Sequence, residues 1–403
     1  MQTRRSFLLS AGATAVAVAG SSATAFAANE TLNVGLIGTG GRCRHLLKSL
    51  ITIPNVKVTA IADVWDAALA ETRKMLKDEV FVTKSYPELL ARKDVDAVLI
   101  ASPDHWHVPM TVDACAAGKD VYVEKPLTHE LSEGKAVIDA QNKHKRIVQV
   151  GTQQRSMPHI AQAREMVQSG RIGKVVKVHM TWNRNTDRVR RFKGTVDPKT
   201  VDWKAFLGNA KEQPFDDYRM RNWRWFWDFG GGLFTDLMVH WVDVAHWVLN
   251  VEHPEKAVSL GEFAVAKDVW ETPDTVQTVL SYKDGLQMHF DGTFANAREG
   301  AHIVFMGTEA NLYVDRGAYI LTPELRNKKA KAEEVIASME PKHRGADFYD
   351  KPDGELLHLT NWVESIKSRK APTAPAEGGV SSASAAHLAN LALRNGGAAV
   401  WKG

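Results

Sequence analysis

The sequence predicts an α/β protein: an N-terminal domain with a doubly wound parallel sheet, followed by an α+β domain with a largely antiparallel open sheet. From residue 31 to residue 150, short apolar runs of β-type residues alternate with amphipathic helical stretches, the pattern of a parallel sheet covered by helices. Beyond residue 150, several strand-like runs follow one another closely, as in antiparallel sheets. A chain of 403 residues is long enough for two such domains.

The composition is that of a folded globular protein, with 44% apolar and 24% charged residues. The net charge of +4 is spread along the chain without a basic block, so nothing supports nucleic-acid binding. The two cysteines, Cys43 and Cys115, lack the close Cys or His neighbours of a metal site, and two cysteines make no disulfide framework. The composition therefore predicts neither a zinc protein nor a disulfide-stapled one.

The first 27 residues have the features of an export signal. TRRSFL at 3–8 is a twin-arginine pattern, the apolar stretch 8–20 is shorter than the ~20 residues that a membrane span needs, and AFA at 25–27 is a cleavage site. We expect the twin-arginine export machinery to carry the folded protein and the signal to be cut after residue 27. The mature chain would then be periplasmic or secreted, with no membrane span.

The first domain is predicted over residues 28–150. Its strands are expected at 31–37, 55–62, 96–101, 121–124 and 147–150, with helices ending near residue 50 and at 65–77, 108–117 and 129–144. The run VYVEKP, 121–126, stops at a carboxylate, a lysine and a proline. Because proline cannot join a sheet ladder, Glu124 and Lys125 are expected at the carboxyl end of a strand, the edge where open α/β sheets bind ligands.

The second domain is predicted over residues 151–355 and a C-terminal segment over 356–403. After a helix that ends near residue 169, strands are expected at 173–182, 258–266, 275–282, 286–292, 303–307 and 311–314, and a charged surface loop at 333–350. Helices are expected at 355–367 and 382–394. We expect these last helices to pack back against the first domain.

A glycine-rich turn, GTGGRC at 38–43, follows the first strand and opens a helix, which is the context of a Rossmann dinucleotide-binding site. Gly38 allows the tight turn, and Gly40 lets backbone amides approach the pyrophosphate beside the positive end of the helix. Cys43 stands where glycine or alanine is usual and is small enough to pack there. The predicted cofactor site in this turn therefore consists of Gly38, Gly40, Gly41, Arg42 and Cys43.

An acidic residue, Asp63, ends the second strand 25 positions after Gly38. At this position a carboxylate accepts hydrogen bonds from the adenosine ribose and repels a 2′-phosphate. The next three residues, VWD, contain no lysine or arginine that would bind such a phosphate. The cofactor is therefore expected to be NAD rather than NADP.

The segment ASPDHWH, 101–107, lies at the end of a strand on the same sheet edge as Glu124. His105 and His107 alternate like metal ligands, but no third ligand is near, so we expect no metal here. Ser102, both histidines, Glu124 and Lys125 are instead predicted to line the cofactor.

A second polar cluster is predicted in GGGLFTDLMVH, 230–240, and the residues that follow it. Asp236, His240 and Asp243 are spaced by four and three residues, so they are expected on one face of a helix. Taken alone, this pattern is as compatible with a buried, structurally satisfied histidine and aspartate as with catalysis.

The order of GTGGRC, AIAD, ASPDHWH, VYVEKP and GGGLFTDLMVHWVDVAHW resembles that of the Gfo/Idh/MocA oxidoreductases, which include glucose-fructose oxidoreductase and inositol 2-dehydrogenase. The resemblance covers nearly the whole mature chain. It implies that Lys125, Asp236 and His240 form the catalytic site. It also implies that the open face of the second sheet joins subunits, as a homodimer or homotetramer.

The roles of these residues follow from their ordinary pKa values. A lysine base near neutrality needs its pKa lowered by about 3 units, or about 4 kcal/mol, whereas histidine starts near 6.5. His240 is therefore predicted to be the general base and Lys125 the cation that stabilises the substrate oxygen. Asp236 would orient the substrate or relay the proton.

The predicted substrate is a sugar, glycoside or polyol, bound by Arg155, Asn183 and Trp227. Free NAD is scarce outside the cytoplasm, so an exported oxidoreductase is expected to keep NAD tightly bound and to recycle it in place. Two alternatives stay open. One is an NAD-dependent glycoside hydrolase or lyase that oxidises the sugar transiently, eliminates a substituent and reduces the sugar again, and the other is a sugar-binding sensor without turnover.

Overall fold

A computed structural model describes residues 30–185, 196–326, 331–336 and 353–402. The predicted signal peptide, 1–27, and the larger part of the predicted loop 333–350 lie outside these ranges. Across the described residues, no helix combines the length and apolar character needed to cross a membrane.

The first sheet has six parallel strands in the order β3-β2-β1-β4-β5-β6. Its strands are β1 (Leu32–Ile37), β2 (Val56–Ala62), β3 (Phe81–Thr83), β4 (Ala97–Ile100), β5 (Asp120–Val123) and β6 (Val148–Val150). The helices between them are α1 (Gly41–Leu50), α2 (Asp66–Lys74), α3 (Tyr86–Leu90), α4 (His107–Ala116) and α5 (Gly134–His144). The predicted doubly wound fold is confirmed.

Helices cover both faces of this sheet, which explains why β4 and β5 are buried along their whole length. On one face, α1 packs beside α10 (Asp353–Ser368), whose Leu359, Trp362 and Ile366 join the core formed by β1 and Tyr122. Helices α4 and α5 cover the other face. The C-terminal part of the chain thus supplies a structural layer of the first domain.

Within the described residues, the second sheet has nine strands in the order β14-β13-β12-β11-β7-β10-β9-β8-β15, and among these only β7 and β10 pair in parallel. The strands are β7 (Val175–Asn183), β8 (Lys256–Glu262), β9 (Thr275–Ser281), β10 (Gln287–Thr293), β11 (Ala301–Gly307), β12 (Ala310–Val314), β13 (Ala318–Pro323), β14 (Glu333–Ile336) and β15 (Ala398–Val400). The described helices of this part are α6 (Pro158–Gln168), α7 (Trp203–Leu207), α8 (Asp217–Arg221), α9 (Val239–Leu249) and α11 (Ala376–Arg394). Helices α6, α9 and α11 pack on one face of the sheet, so the predicted open sheet is confirmed.

The sequence missed the short strands and misplaced one helix start. Strands β3 and β15 have three residues each, too few to show a period. Strand β14 occupies the start of the predicted loop 333–350. Helix α11 begins at Ala376 rather than near residue 382. Its early turns pack closely on the first domain because they contain small residues: a Cβ on Gly379 would stand only 2.6 Å from Val150 Cγ2.

Candidate active site

The glycine turn crosses the end of β4 in close contact. Gly38 has φ +76°, and a Cβ there would stand 2.6 Å from the backbone nitrogen of Ser102, so no larger residue fits. Gly40 precedes the first residue of α1, and a Cβ on Gly40 or Gly41 would meet nothing within 4 Å. This open space in front of a helix N-terminus suits a pyrophosphate group. The residues present therefore fit a bound dinucleotide.

The carboxylate of Asp63 holds this turn in place. It accepts hydrogen bonds from the backbone nitrogens of Thr39 at 2.6 Å and Trp65 at 2.9 Å. Burial raises the pKa of Asp63, and these hydrogen bonds oppose the rise. Its bond to the ribose stays a prediction. Cys43 is completely buried among the core residues under α1, in the place that the sequence assigns to a small residue.

The two glycines allow a matched test. Gly38→Ala is expected to lower thermal stability and the amount of bound NAD, because its Cβ collides with backbone at a positive φ. Gly40→Ala is expected to leave the unfolding temperature nearly unchanged but to reduce NAD bound per chain, since its Cβ points into the open space. Calorimetry and nucleotide release on denaturation measure the two quantities. Equal behaviour of both variants would contradict this placement of the dinucleotide.

Two polar residues between the end of β4 and the start of α4, Ser102 and His107, line the same cavity. The hydroxyl of Ser102 is buried and has no hydrogen-bond partner among the described residues, so it is available to a ligand. The ring of His107 lies between the carbonyl oxygens of Pro126, at 2.6 Å, and Ser102, at 3.0 Å. Burial lowers the pKa of His107, and its hydrogen bonds to the two carbonyl oxygens oppose this shift. His107 thus fixes the segment that follows Lys125.

Glu124 and Arg42 form a buried ion pair on the cofactor side. The Arg42 Nε donates to Glu124 Oε1 at 2.8 Å, and the same guanidinium reaches Gln153 Oε1 at 2.7 Å and the carboxylate of Glu355 on α10. A Cβ on Gly151 would stand 2.8 Å from Glu124 Oε1, so a larger residue there would displace the carboxylate. This network joins the first helix of the fold, the end of β5 and the C-terminal segment.

Lys125 reaches across the domain boundary to Asp236. Its Nζ donates to the backbone carbonyl of Asp236 at 2.6 Å and to Asp236 Oδ1 at 3.0 Å, and Oδ1 also accepts from Arg224 Nε at 3.0 Å. Asp236 lies in a π-helical turn, Phe234–Met238, which leads into α9. Such wide turns are frequent at functional sites. Here the turn presents both a carbonyl and a carboxylate to one lysine.

His240 is the second residue of α9 and forms part of the cavity wall. Its ring stacks on Trp182, with ring centroids 5.1 Å apart, and its buried Nδ1 has no hydrogen-bond partner among the described residues. Burial lowers the pKa of His240 well below its ordinary value, and the nearby cations Lys125 and Arg316 lower it further. The imidazole is therefore neutral and able to accept a proton.

These side chains enclose a cavity of about 570 Å³ between the two domains, a size that suits a small ligand with part of a cofactor. The predicted residues that line it are Gly41, Arg42, Ser102, His107, Glu124, Lys125, Asp236 and His240. The structure thus brings together, in one place, residues more than 190 positions apart in the chain, since Gly41 and His240 share the cavity wall.

The three predicted substrate-binding residues lie elsewhere. Arg155 is buried and makes two hydrogen bonds of 2.8 Å to the carboxylate of Asp243, so its guanidinium is not turned to the cavity. Asn183 donates its side-chain amide to the carbonyl of Arg298, and Trp227 donates its indole N–H to the carbonyl of Glu271. None of the three lines the cavity.

Two further residues of the predicted polar segments lie away from the cavity. His105 does not line it: its Nε2 contacts the carbonyl of Phe206 at 2.9 Å, its ring packs on Phe229, and burial lowers its pKa to about 4. Asp243 does not share a face with Asp236 and His240 at the cavity, because it is fully buried against Arg155. His240 and Asp243 are three residues apart within the regular helix α9, after the π turn, so the position of Asp243 follows from its pairing with Arg155 and not from the turn.

The sequence also missed residues of the cavity wall, namely His45, Gln153, Arg221 and Arg316. Gln153 lies three residues beyond the end of β6, so the rule that ligands bind at carboxyl strand ends applied to it as well. Arg316 lies in the turn between β12 and β13, and nothing in the sequence links that turn to Lys125. Asp104 is buried beside Lys125 and Arg224, and burial raises its pKa well above the ordinary value.

A sheet of the nucleotide-binding type, whose ligand edge carries Lys125 and faces Asp236 and His240 of a second domain, is the arrangement of a two-domain dinucleotide-binding protein. Two family descriptions match the chain: an oxidoreductase family with an NAD-binding Rossmann fold over residues 32–152, and the Gfo/Idh/MocA C-terminal domain over residues 201–313. The chain belongs to the Gfo/Idh/MocA oxidoreductase family.

Curated relatives extend this result. The chain is 27% identical over 264 residues to the uncharacterized oxidoreductase YrbE of Bacillus subtilis, a match that spans 64% of this chain and 66% of YrbE. It is 24% identical over 361 residues to the myo-inositol 2-dehydrogenase of Thermotoga maritima, spanning 86% and 92% of the two chains. A glycosyl hydrolase family 109 protein of Saccharopolyspora erythraea is 33% identical over 130 residues, which is 30% of this chain and 28% of that protein.

Solved structures share the fold. An oxidoreductase domain protein from Kribbella flavida superposes with a TM-score of 0.73 at 19% identity, covering 92% of this chain and 99% of that chain. Levoglucosan dehydrogenase in complex with NADH and levoglucosan superposes with a TM-score of 0.70 at 17% identity, covering 93% and 100%.

Proposed function

We propose that the protein is an NAD-dependent oxidoreductase that oxidises a CH–OH group of a sugar, glycoside or polyol. The observation that carries this proposal is the convergence of Lys125, Asp236 and His240 on one cavity that also contains the glycine turn. Relatives named as inositol dehydrogenases support the substrate class.

The chain's own residues divide the reaction between them. Lys125 donates two of its three N–H bonds to Asp236, which leaves one for the oxygen of the substrate hydroxyl. The neutral His240 takes the hydroxyl proton, and the Lys125 cation stabilises the oxygen as it becomes a carbonyl. Gly40, Gly41 and Ser102 would hold NAD, which when bound accepts a hydride from the carbinol carbon.

The lowered pKa of His240 predicts the shape of the pH profile. The base must be neutral, and an unshifted histidine would lose half of that form near pH 6.5. Because burial, Lys125 and Arg316 lower the pKa, kcat/KM should stay on its plateau at pH 6.5 and fall only at lower pH. Rates measured between pH 4.5 and 9 check this, and an acid limb centred at or above pH 6.5 would contradict it.

The proposal includes export and a retained cofactor. The twin-arginine pattern at 3–8 supports passage of the folded, NAD-loaded protein to the periplasm or beyond. Nucleotide released by denaturing the purified, extensively dialysed protein should then approach one NAD per chain. NAD-free protein that needs added nucleotide for every turnover would contradict retention. Cell fractionation with an Arg4→Lys, Arg5→Lys signal variant tests the location, since the parent should be exported and the variant kept in the cytoplasm.

A glycoside hydrolase or lyase that works by transient oxidation is the second candidate, favoured by the local identity to a family 109 glycosyl hydrolase. Purified protein without added NAD should be incubated with an aldose plus a ketose and, separately, with aryl glycosides. Paired oxidised and reduced sugars support the oxidoreductase, whereas released aglycone supports the glycosidase. Neither product, with sugar still bound, would support the third candidate, a sensor.

The open face of the second sheet is proposed to join two or four copies of the chain. It exposes Val258 and Leu260, whose side chains are 46% and 69% accessible, and no described helix covers it. Leu260→Lys is expected to shift the mass measured by light scattering toward the monomer. Val82→Lys, at an equally apolar exposed position of β3, should leave the mass unchanged. A monomeric parent protein would contradict the proposal.

A further inference from the structure

Arg224 donates to the same carboxylate oxygen as Lys125. It is the middle residue of a short 3₁₀ turn, Trp223–Trp225, whose three residues all line the cavity. Its Nε donates to Asp236 Oδ1 at 3.0 Å, and the same oxygen accepts from Lys125 Nζ at 3.0 Å. One oxygen of Asp236 thus receives hydrogen bonds from both domains, because Lys125 belongs to the first domain and Arg224 to the second.

The guanidinium of Arg224 is also held on an aromatic ring. Its Cζ lies 4.2 Å from the centre of the Trp223 ring, within the distance of a cation–π contact. The turn is anchored by Trp225, whose side chain is buried and stacks on Trp270 with ring centroids 4.3 Å apart. The ring and the carboxylate therefore fix the Arg224 side chain together, on a turn that is itself held by the core.

The glycine-rich segment that leads to Asp236 packs on the backbone of this turn. A Cβ on Gly230 would stand 2.9 Å from the Cα of Arg224, so a larger residue would force the two chain segments apart. The π-helical turn with Asp236 follows directly after these glycines. The Arg224 backbone is therefore fixed relative to the segment that presents Asp236.

We propose that Arg224 is a positioning residue of the active site: it holds the Asp236 carboxylate in the orientation in which Lys125 donates to it, and so keeps Lys125 Nζ directed at the substrate oxygen. This inference rests on the proposed oxidoreductase function and adds to its site a residue that acts through another. An aspartate side chain rotates about two bonds, and a second donor on Oδ1 restricts both rotations. A displacement of about 1 Å at a reacting group can cost about 100-fold in rate.

The competing role for Arg224 is direct contact with the substrate, because this residue lines the cavity. The two roles change different kinetic constants. Loss of a contact that binds substrate and transition state equally raises KM at unchanged kcat. A misplaced Lys125 lowers kcat instead, because this cation stabilises charge that develops on the oxygen only in the transition state.

Arg224→Gln should lower kcat by about 10–100-fold, the range for loss of a hydrogen bond to a charged group, and change KM by less than about threefold. The full-length protein is assayed with D-glucose plus D-fructose, and with myo-inositol plus added NAD. Arg224→Lys keeps the charge without the planar fork and should give an intermediate kcat. The matched control is Arg219→Gln, which should keep the parent kcat: Arg219 also stacks on a ring, Phe226 at 4.3 Å, and pairs with Asp228, but it lies outside the cavity wall.

A double-mutant cycle tests whether Arg224 acts through Asp236. In a protein that already carries Asp236→Ala, Arg224→Gln should lower kcat by no more than about a further twofold, because the carboxylate that it positions is gone. Equal fold losses with and without Asp236 would overturn the inference. A raised KM at unchanged kcat in the single variant would overturn it as well, in favour of direct substrate contact.

Crystal structures of the parent and of Arg224→Gln provide a readout that needs no turnover. In the variant, the Asp236 carboxylate should rotate and Lys125 Nζ should move with it. Both groups unmoved would overturn the inference. If the parent turns over none of these compounds, the proposed function fails on them, while the two structures still decide whether Arg224 positions the pair. If Arg224→Gln does not fold, Arg224→Lys serves in the same comparisons.

Discussion

Replacing His240 with alanine is expected to lower kcat by about 10²–10⁴-fold, the usual contribution of a positioned general base, without changing the amount of bound NAD. The cofactor should stay because His240 belongs to the second domain and lies at the substrate end of the cavity. Initial rates and NAD content per chain measure the two quantities. His144→Ala, at the end of α5 and outside the cavity, is the matched control.

Lys125→Ala belongs to the same experiment. It removes the cation that contacts Asp236 and faces the substrate oxygen, and kcat should fall by about 10²–10³-fold, the range for loss of one oxyanion donor. Lys135→Ala, an exposed lysine on α5, should have parent activity. Turnover within twofold of the parent in both the His240 and Lys125 variants, with NAD retained, would refute the catalytic assignment.

The fold of the first domain, and the site residues that it contributes, could be predicted from short sequence patterns. A glycine turn after a strand, and a strand that ends at Glu124, Lys125 and Pro126, must lie at the carboxyl edge of a parallel sheet. Close packing then determines which residue fits. At Gly38, for example, an added Cβ would stand 2.6 Å from the backbone nitrogen of Ser102. Residue order was sufficient here because Gly38, Ser102 and Glu124 each lie within two residues of the end of a buried strand.

The second domain was less predictable because its contacts are distant in sequence. Regular helical spacing put Asp236, His240 and Asp243 on one face, but Asp243 is paired with the buried guanidinium of Arg155 and does not line the cavity. Arg316 reaches the cavity from a turn between two strands of the second sheet, a position that depends on how the sheet packs against α9. The sequence did not show that Arg155, predicted to bind substrate, is instead paired with the buried carboxylate of Asp243.

Breaking the buried pair between Arg155 and Asp243 has the largest expected effect on stability. Arg155 and Asp243 are both buried and joined by two hydrogen bonds of 2.8 Å, so removing either partner leaves an uncompensated charge in the core. Arg155→Met or Asp243→Leu should each lower the free energy of unfolding by about 3–5 kcal/mol. For a protein of this size this is a fall of about 4–6 °C in the unfolding midpoint.

The double variant Arg155→Met, Asp243→Leu tests whether Arg155 serves as part of a structural ion pair or binds substrate. Removing both charges together should restore much of the lost stability, because apolar side chains often replace a buried ion pair without loss. Lys74→Ala, which breaks an exposed pair with Glu71, should leave the midpoint unchanged. If Arg155 instead bound substrate, its single variant would raise KM strongly at unchanged stability, and the double variant would restore nothing.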